Sequence, residues 1–122
     1  MKKIENSNNF FHENGYSIIE KAFSSEYCDC IIKSANTIND GNSDFSPLMN
    51  PHTKSDIFLE LMSDNKIIQF IEEYFDGSAM GLQTEFFFMP PKTKGFTPHQ
   101  DNTYVQADEN SFVSAWGALT DV

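Results

Sequence analysis

The chain has 122 residues, of which 39% are hydrophobic and 14% aromatic, and this composition excludes the intrinsically disordered class. A chain of this length has room for one domain. Its formal net charge is −10, and its eight cations are all Lys because the sequence contains no Arg, so phosphate backbones and anionic membrane surfaces are disfavoured as partners.

The N-terminal segment carries no apolar stretch of the length that a signal peptide or a membrane span requires. A cytoplasmic location is therefore expected. Residues 10–16 predict a short helical turn closed by Gly15, because Gly commonly follows the last residue of a helix. Residues 16–19 are rich in β-forming side chains and predict a short strand.

An amphipathic helix is predicted after Ser24, which is a suitable N-cap, and its pattern of polar and apolar residues ends near Asn39. Cys28 and Cys30 lie two positions apart in this helix and project in directions about 200° apart. They therefore cannot share a disulfide or a metal ion within it. Both are expected to be buried or idle thiols.

The middle of the chain is predicted to contain a surface connection followed by two helices. Residues 40–54 are rich in Asn, Asp, Ser and Pro and predict a connection that could border a substrate pocket. Residues 55–75 carry apolar side chains at helical spacing, interrupted at residues 63–65. They predict two short helices, the second ending at Gly77.

The last third of the chain predicts strands. Residues 82–89, 97–105 and 112–119 are each rich in aromatic and β-branched side chains. Helices followed by strands indicate an α+β fold. Three or four strands are too few for a closed sheet, so we expect this sequence to be a fragment of a larger fold.

The triplet His99-Gln100-Asp101 is the strongest candidate for chemistry. In an extended chain alternate side chains share a face, so His99 and Asp101 are predicted to point the same way. An imidazole nitrogen and a carboxylate oxygen are two corners of the facial triad that binds non-haem iron(II) and leaves positions open for a cosubstrate and oxygen. As a bare pattern His-x-Asp is weak, and a third ligand is needed.

The flanks of the triplet make the pattern more specific. Over about forty residues the chain carries, in order, Gln83, MPPK at 89–92, Gly95, HQDNTY at 99–104 and AWGALTD at 115–121. The order and spacing of these motifs resemble the phytanoyl-CoA dioxygenase family. The segment 11–20 resembles the opening of that family more weakly.

The resemblance implies a fold, cofactors and site residues. N-terminal helices would pack on an incomplete part of a double-stranded β-helix, the cupin-like jelly roll. By the same resemblance His99 and Asp101 are metal ligands and catalytic residues for Fe(2+), while Gln83 and Trp116 help to bind 2-oxoglutarate, with O2 as the second cosubstrate. Gln83 on a half-solvated strand and Trp116 in ordinary core packing are the competing interpretations.

The family pattern also places a distal His and a 2-oxoglutarate-binding Arg further along the chain. Residues 1–122 are therefore expected to be the N-terminal portion of one dioxygenase domain, truncated before the distal ligand. His12 and His52 are not expected to replace that ligand, because both precede the triplet. The fragment alone is expected to have little activity.

The function that follows is that of an iron(II)/2-oxoglutarate-dependent dioxygenase which, in the full-length protein, hydroxylates an aliphatic carbon of a small organic substrate and releases succinate and CO2. The alternative is a non-catalytic or truncated jelly-roll remnant that acts as a binding module. A bicupin-like metal-binding protein or isomerase is a third possibility, for which the sequence offers too few His residues.

Overall fold

The computed structural model describes residues 2–40 and 46–121, and helices dominate this part of the chain. The helices are α1 (Lys2–Asn14), α2 (Ser25–Asn39), α3 (Asp56–Met62), α4 (Asn65–Phe75) and α5 (Asn102–Val105), with a 3₁₀ helix at Pro51–Thr53. The strands are β1 (Leu48–Met49) and β2 (Glu85–Phe86). None of the helices in the described ranges is long and apolar enough to cross a membrane.

Helix α2 confirms the prediction made from its N-cap and its periodicity. The Ser24 hydroxyl accepts a hydrogen bond from the backbone N–H of Tyr27 at 3.2 Å, which satisfies one of the free donors of the first turn. Asp40 ends the helix in the left-handed conformation, with φ 50°. Cys28 and Cys30 within it are free thiols, and neither is buried, since Cys28 is half-buried and Cys30 is exposed.

Helices α3 and α4 confirm the predicted pair and the break between them. The Asp64 carboxylate accepts from the backbone N–H groups of Lys66 at 2.9 Å and Ile67 at 3.3 Å, so it is the N-cap of α4. Helix α4 ends at Phe75 because Asp76 takes the left-handed conformation, one residue before the predicted Gly77. Short-range chemistry therefore explains these boundaries.

The buried core lies between α2, α3 and the small sheet. Ile31, Ala35 and Phe58 are almost completely buried, and the ring centroids of Phe58 and Phe86 lie 6.0 Å apart in an edge-to-face contact. Phe88 and Leu119 pack against the same cluster. The C-terminal segment is therefore anchored to the helices through Leu119.

A second contact joins the two ends of the helical part. Phe11 of α1 lies edge-to-face against Tyr74 of α4 at 4.7 Å and against Phe70 at 5.6 Å. The short N-terminal turn predicted over residues 10–16 is therefore part of a longer helix, α1, which ends at Asn14 before Gly15 with φ 77°.

Several strand predictions were wrong. Residues 16–19 form no strand, and only Glu85–Phe86 of the predicted strand 82–89 pairs with a partner. That partner, β1, lies inside the predicted surface connection, with Leu48 opposite Phe86 and Met49 opposite Glu85 in an antiparallel register. Residues 41–45 of that connection lie outside the described residues.

Residues 97–105 and 112–119 are also not strands. Residues 102–105 instead form α5, closed by hydrogen bonds from the N–H groups of Tyr104 and Val105 to the Asp101 carbonyl at 2.9 and 3.3 Å. A strand needs a neighbour to satisfy its backbone groups, whereas local bonds satisfy several of those in residues 102–105. The mixture of helices with a small antiparallel sheet agrees with the α+β prediction, whereas the described residues do not form a jelly roll.

Candidate metal centre

His99 and Asp101 point toward each other at the N-terminal end of α5. Nε2 of His99 lies 3.1 Å from Oδ1 of Asp101, and their side chains are 42% and 51% exposed. The expected convergence is therefore present, on a surface that solvent and small ligands can reach. Its local cause differs from the prediction, because the triplet lies in an irregular segment that leads into α5 and not in a strand.

The tautomer of His99 follows from its second ring nitrogen. Nδ1 lies 2.7 Å from the backbone carbonyl of Thr97, which can only accept a hydrogen bond, so Nδ1 carries the hydrogen. In the neutral ring Nε2 then presents a lone pair toward the Asp101 carboxylate. Two acceptors at 3.1 Å repel each other, so this contact is favourable only with a hydrogen on one of the two atoms or a cation between them.

Asp101 is fixed by a residue that the sequence analysis did not single out. The Ser114 hydroxyl donates to Oδ2 of Asp101 at 2.5 Å, a short distance typical of a hydrogen bond to an ionised carboxylate. Ser114 is exposed and lies thirteen positions further along the chain. No local pattern marks a hydroxyl at that separation, so sequence reasoning had no signal for it.

The turn after the triplet is held by Asn102. Its side-chain amide donates to the Ala107 carbonyl at 3.2 Å, and its Oδ1 accepts from the Ala107 N–H at 2.9 Å. The Tyr104 ring lies 6.0 Å from the His99 ring in an edge-on orientation and is 77% exposed. Asn102 thus stabilises the helical turn from which Asp101 and Tyr104 project.

The donor atoms of the pair suit a divalent transition metal. A first-row ion held at about 2.1 Å by each of two ligands at a right angle separates the donor atoms by about 3.0 Å. The observed 3.1 Å agrees with that value, and the nitrogen and oxygen donors suit non-haem iron(II). Within residues 2–40 and 46–121 no group of three or more His, Cys, Asp or Glu side chains could hold a metal ion.

Both candidate ligands also have the outer hydrogen bonds that metal ligands commonly have. The Thr97 carbonyl orients the imidazole of His99, and Ser114 orients the carboxylate of Asp101. Such partners fix ring orientation and tautomer in metalloproteins. The pair could therefore bind a cation with little rearrangement.

Gln83 does not contact the pair directly in this structure. Its side-chain amide donates to Oε1 of Glu85 at 2.8 Å, and both residues are exposed. Phe86 and Phe88, on the opposite face, pack against the helical core, as the alternation of this segment predicts. Gln83 thus lies on the polar side of the segment that contains β2.

Trp116 is 77% exposed, so the competing interpretation of it as a core residue is wrong. It follows Ser114 by two positions in the segment that Leu119 anchors to the core. An exposed indole offers both an N–H donor and an aromatic face to a ligand. No contact between Trp116 and the His99–Asp101 pair is seen.

Comparisons with known proteins agree with the motifs. A family model described as phytanoyl-CoA dioxygenase (PhyH) matches residues 11–122. Comparison with curated proteins and with solved structures finds no significant match. The family match covers most of the chain and includes the paired His99 and Asp101, as well as Gln83, Ser114 and Trp116. The chain belongs to the phytanoyl-CoA dioxygenase family.

Proposed function

We propose that the protein is an iron(II)/2-oxoglutarate-dependent dioxygenase that hydroxylates an aliphatic carbon of a small organic substrate. The observation that carries the proposal is the 3.1 Å approach of His99 Nε2 to Asp101 Oδ1, which matches the separation of two donor atoms bound to one first-row metal ion. Membership of a dioxygenase family supports the reaction class. Bound iron(II) would supply the oxidative chemistry with O2 and 2-oxoglutarate, releasing succinate and CO2.

His99 and Asp101 have distinct roles in this proposal. His99 offers a neutral nitrogen donor whose tautomer is set by the Thr97 carbonyl, and Asp101 offers a negative charge through Oδ1. One negative ligand beside one neutral ligand leaves a divalent ion with a net positive charge. That remaining charge would attract an anionic cosubstrate to residues 1–122, which have a net charge of −10 and contain no Arg.

We further propose that Gln83 and Trp116 contribute to binding 2-oxoglutarate. Gln83 has a second amide N–H besides the one donated to Glu85, and the indole of Trp116 is exposed. Both are neutral donors, so neither adds to the negative charge that a dicarboxylate must approach. A cytoplasmic location remains part of the same proposal.

The family resemblance supports a proposal for the remainder of the site. We propose that residues 1–122 form the N-terminal portion of one jelly-roll dioxygenase domain, in which a distal His is the third ligand. Nδ1 of His52 is 2.7 Å from the Thr84 hydroxyl, so that ring already has a structural partner. His12 is an exposed residue in the last turn of α1.

Metal binding can be tested on the chain itself with Mn(II) as a paramagnetic probe. The three His residues give separate imidazole proton signals, and Mn(II) broadens those nearest to it. We expect the His99 signal to broaden at lower Mn(II) than the signals of His12 and His52. Because the broadening falls steeply with distance from the ion, weak binding to surface carboxylates far from His99 should affect its signal little.

Two variants make this experiment decisive. His99→Gln assigns the signal, and Asp101→Asn keeps the shape of the side chain but removes its charge. We expect Asp101→Asn to weaken Mn(II) broadening of His99 at least tenfold. Equal broadening of all three His signals in the unchanged chain would refute the metal site and favour the alternative, a non-catalytic binding module.

Binding of 2-oxoglutarate has its own probe, because Trp116 is the single Trp of the chain. We expect 2-oxoglutarate to change Trp116 fluorescence only when Mn(II) is present, since the cation must offset the negative charge of the protein. Gln83→Ala should weaken this response, while Gln69→Ala, an exposed Gln on α4 that bonds to Glu73, should not. A response without metal would contradict chelation at the metal.

Turnover in the intact enzyme tests the reaction. With Fe(II), O2 and 2-oxoglutarate, succinate release should be abolished by Asp101→Ala, because the carboxylate ligand is lost. Glu73→Ala removes a carboxylate of α4 that is not a proposed ligand and should leave most of the activity. Succinate release that survives Asp101→Ala would rule out this mechanism.

A further inference from the structure

We propose that Ser114 is a positioning residue that selects which oxygen of Asp101 binds the metal, an inference that rests on the proposed function. Ser114 donates to Oδ2 at 2.5 Å, and the other oxygen, Oδ1, is the one that lies 3.1 Å from His99 Nε2. The two carboxylate oxygens therefore have different partners. The hydroxyl occupies one oxygen and leaves the other to face the imidazole.

The side chain of Asp needs such a partner because its last torsion angle is soft. Rotation about that bond is broad and roughly two-fold, so a free carboxylate exchanges its oxygens easily. The Asp101 side chain is 51% exposed, so it is not enclosed in a packed interior that would restrict this rotation. A short hydrogen bond to an ionised oxygen is among the stronger side-chain interactions and restricts the rotation.

The backbone does not offer Asp101 an equivalent restraint. Asp101 precedes α5, where an Asp side chain often accepts from the N–H groups of the first turn. Its own backbone is already helical, with φ −59° and ψ −34°, and its side chain makes no capping hydrogen bond. The orientation of the carboxylate thus depends on side-chain partners, Ser114 on one oxygen and His99 on the other.

Ser114 is itself fixed from a distance. Leu119 packs against the core of Ile31, Ala35 and Phe58, which holds the C-terminal segment on the helical part. Asn102 closes the turn that follows Asp101 through two hydrogen bonds to Ala107. These two restraints bring Ser114 into contact with Asp101, thirteen positions earlier in the chain. Through this bond the segment that contains Trp116 is joined to a candidate metal ligand.

The test compares Ser114→Ala with Ser114→Thr in the Mn(II) experiment on the whole chain. Loss of an outer hydrogen bond to a metal ligand typically weakens metal affinity 10–100-fold, so we expect about a tenfold higher Mn(II) concentration for half-broadening of the His99 signal in Ser114→Ala. Ser114→Thr keeps the hydroxyl and should restore affinity close to the original value. The unfolding midpoint in urea should not change, because the side chain is exposed.

Ser111→Ala is the matched control. Ser111 is an exposed residue of the same segment whose hydroxyl donates to the Asp108 carbonyl at 2.7 Å, with no contact to either candidate ligand. We expect its Mn(II) affinity to equal that of the unchanged chain. If Ser111→Ala lowers Mn(II) affinity as much as Ser114→Ala does, the loss of affinity comes from a general change in this segment. That result would overturn the inference.

The remaining outcomes separate this inference from the proposed function. If His99→Gln and Asp101→Asn eliminate local Mn(II) binding while Ser114→Ala has no effect, the metal site stands and the role of Ser114 is refuted. If Ser114→Thr loses as much affinity as Ser114→Ala, the hydroxyl is not responsible and the inference is also refuted. If the unchanged chain shows no selective broadening at His99, both proposals fail.

Discussion

The hydroxyl of Thr84 lies 2.7 Å from Nδ1 of His52 and also accepts the backbone N–H of His52 at 3.3 Å. The Thr84 carbonyl accepts in addition from the N–H of Asn50 at 2.7 Å. These bonds join the 3₁₀ helix after β1 to the residue before β2. His52 is therefore used to hold the sheet to the helical part, although His is the residue type most often found as a metal ligand.

Thr84→Val should destabilise the protein by about 1–2 kcal/mol, because it removes both side-chain hydrogen bonds while keeping the β-branched shape. Urea denaturation followed by circular dichroism measures the change. Thr84→Ser retains the hydroxyl and should recover most of the lost free energy of unfolding. Equal stability of the Val and Ser variants would mean that the contact with His52 contributes nothing.

Pro98 should contribute to metal affinity. The Thr97 carbonyl bonds to Nδ1 of His99 across this Pro, whose ring fixes φ near −65° and so restricts the chain between the two groups. Replacing Pro by Ala gives the backbone more conformational freedom, which must be lost again when the ligands are ordered. This loss costs about 0.4–1 kcal/mol of binding free energy, or about two- to fivefold in Mn(II) affinity. We expect Pro98→Ala to raise the Mn(II) concentration needed to broaden the His99 signal by that factor.

The control for Pro98 is Pro91→Ala. Pro91 lies in a separate turn, closed by a hydrogen bond from Thr93 N–H to the Pro90 carbonyl at 3.1 Å. This substitution also adds chain freedom but does not touch the link between Thr97 and His99. The same loss of affinity in both variants would contradict the proposed role of Pro98.

Asp64 should stabilise α4 through its capping bonds to Lys66 and Ile67. Asp64→Ala should lower the free energy of unfolding by about 1 kcal/mol, while Asp64→Asn, which can also cap, should lower it much less. Thermal or urea unfolding distinguishes the two variants. If Asn and Ala are equally destabilising, the charge of Asp64 and not its capping geometry is responsible.

Tyr27 should make the protein less stable at high pH. Burial, followed by the nearby charges of Glu60 and Asp64, raises the pKa of Tyr27 above its usual value of 10.0. The unfolded chain therefore ionises this Tyr first, so its contribution to stability is complete below pH 10 and is lost as the pH rises through the folded pKa. Urea unfolding at pH 8 and pH 11 measures this loss.

Tyr27→Phe is the informative variant, because it cannot ionise. The hydroxyl lies 3.5 Å from the Ile57 carbonyl. Its loss should therefore change the free energy of unfolding by a small amount that is the same at both pH values. The difference in stability between pH 8 and pH 11 should be smaller in Tyr27→Phe than in the unchanged chain. An identical difference would show that another group causes the alkaline loss.

Local chemistry made the helices predictable. The N-cap hydroxyl of Ser24 and the carboxylate of Asp64 act on N–H groups two or three residues away, so the start of each helix can be deduced from neighbouring residues. The convergence of His99 and Asp101 could also be predicted from the sequence. Two side chains so close along the chain can converge from more than one backbone conformation. The prediction of convergence was right although the predicted strand was wrong.

The sequence by itself thus determined the central helices and the α+β character. Its motifs around His99 and Asp101 also indicated the family of the chain. Only the tertiary structure decided that β2 pairs with Leu48 and Met49, that α1 extends along α4, and that Ser114 reaches Asp101. The physical reason is the distance along the chain over which each interaction acts. Caps and helical periodicity act within one turn, whereas strand pairing and the hydrogen bond of Ser114 require segments brought together by packing around Phe58 and Leu119.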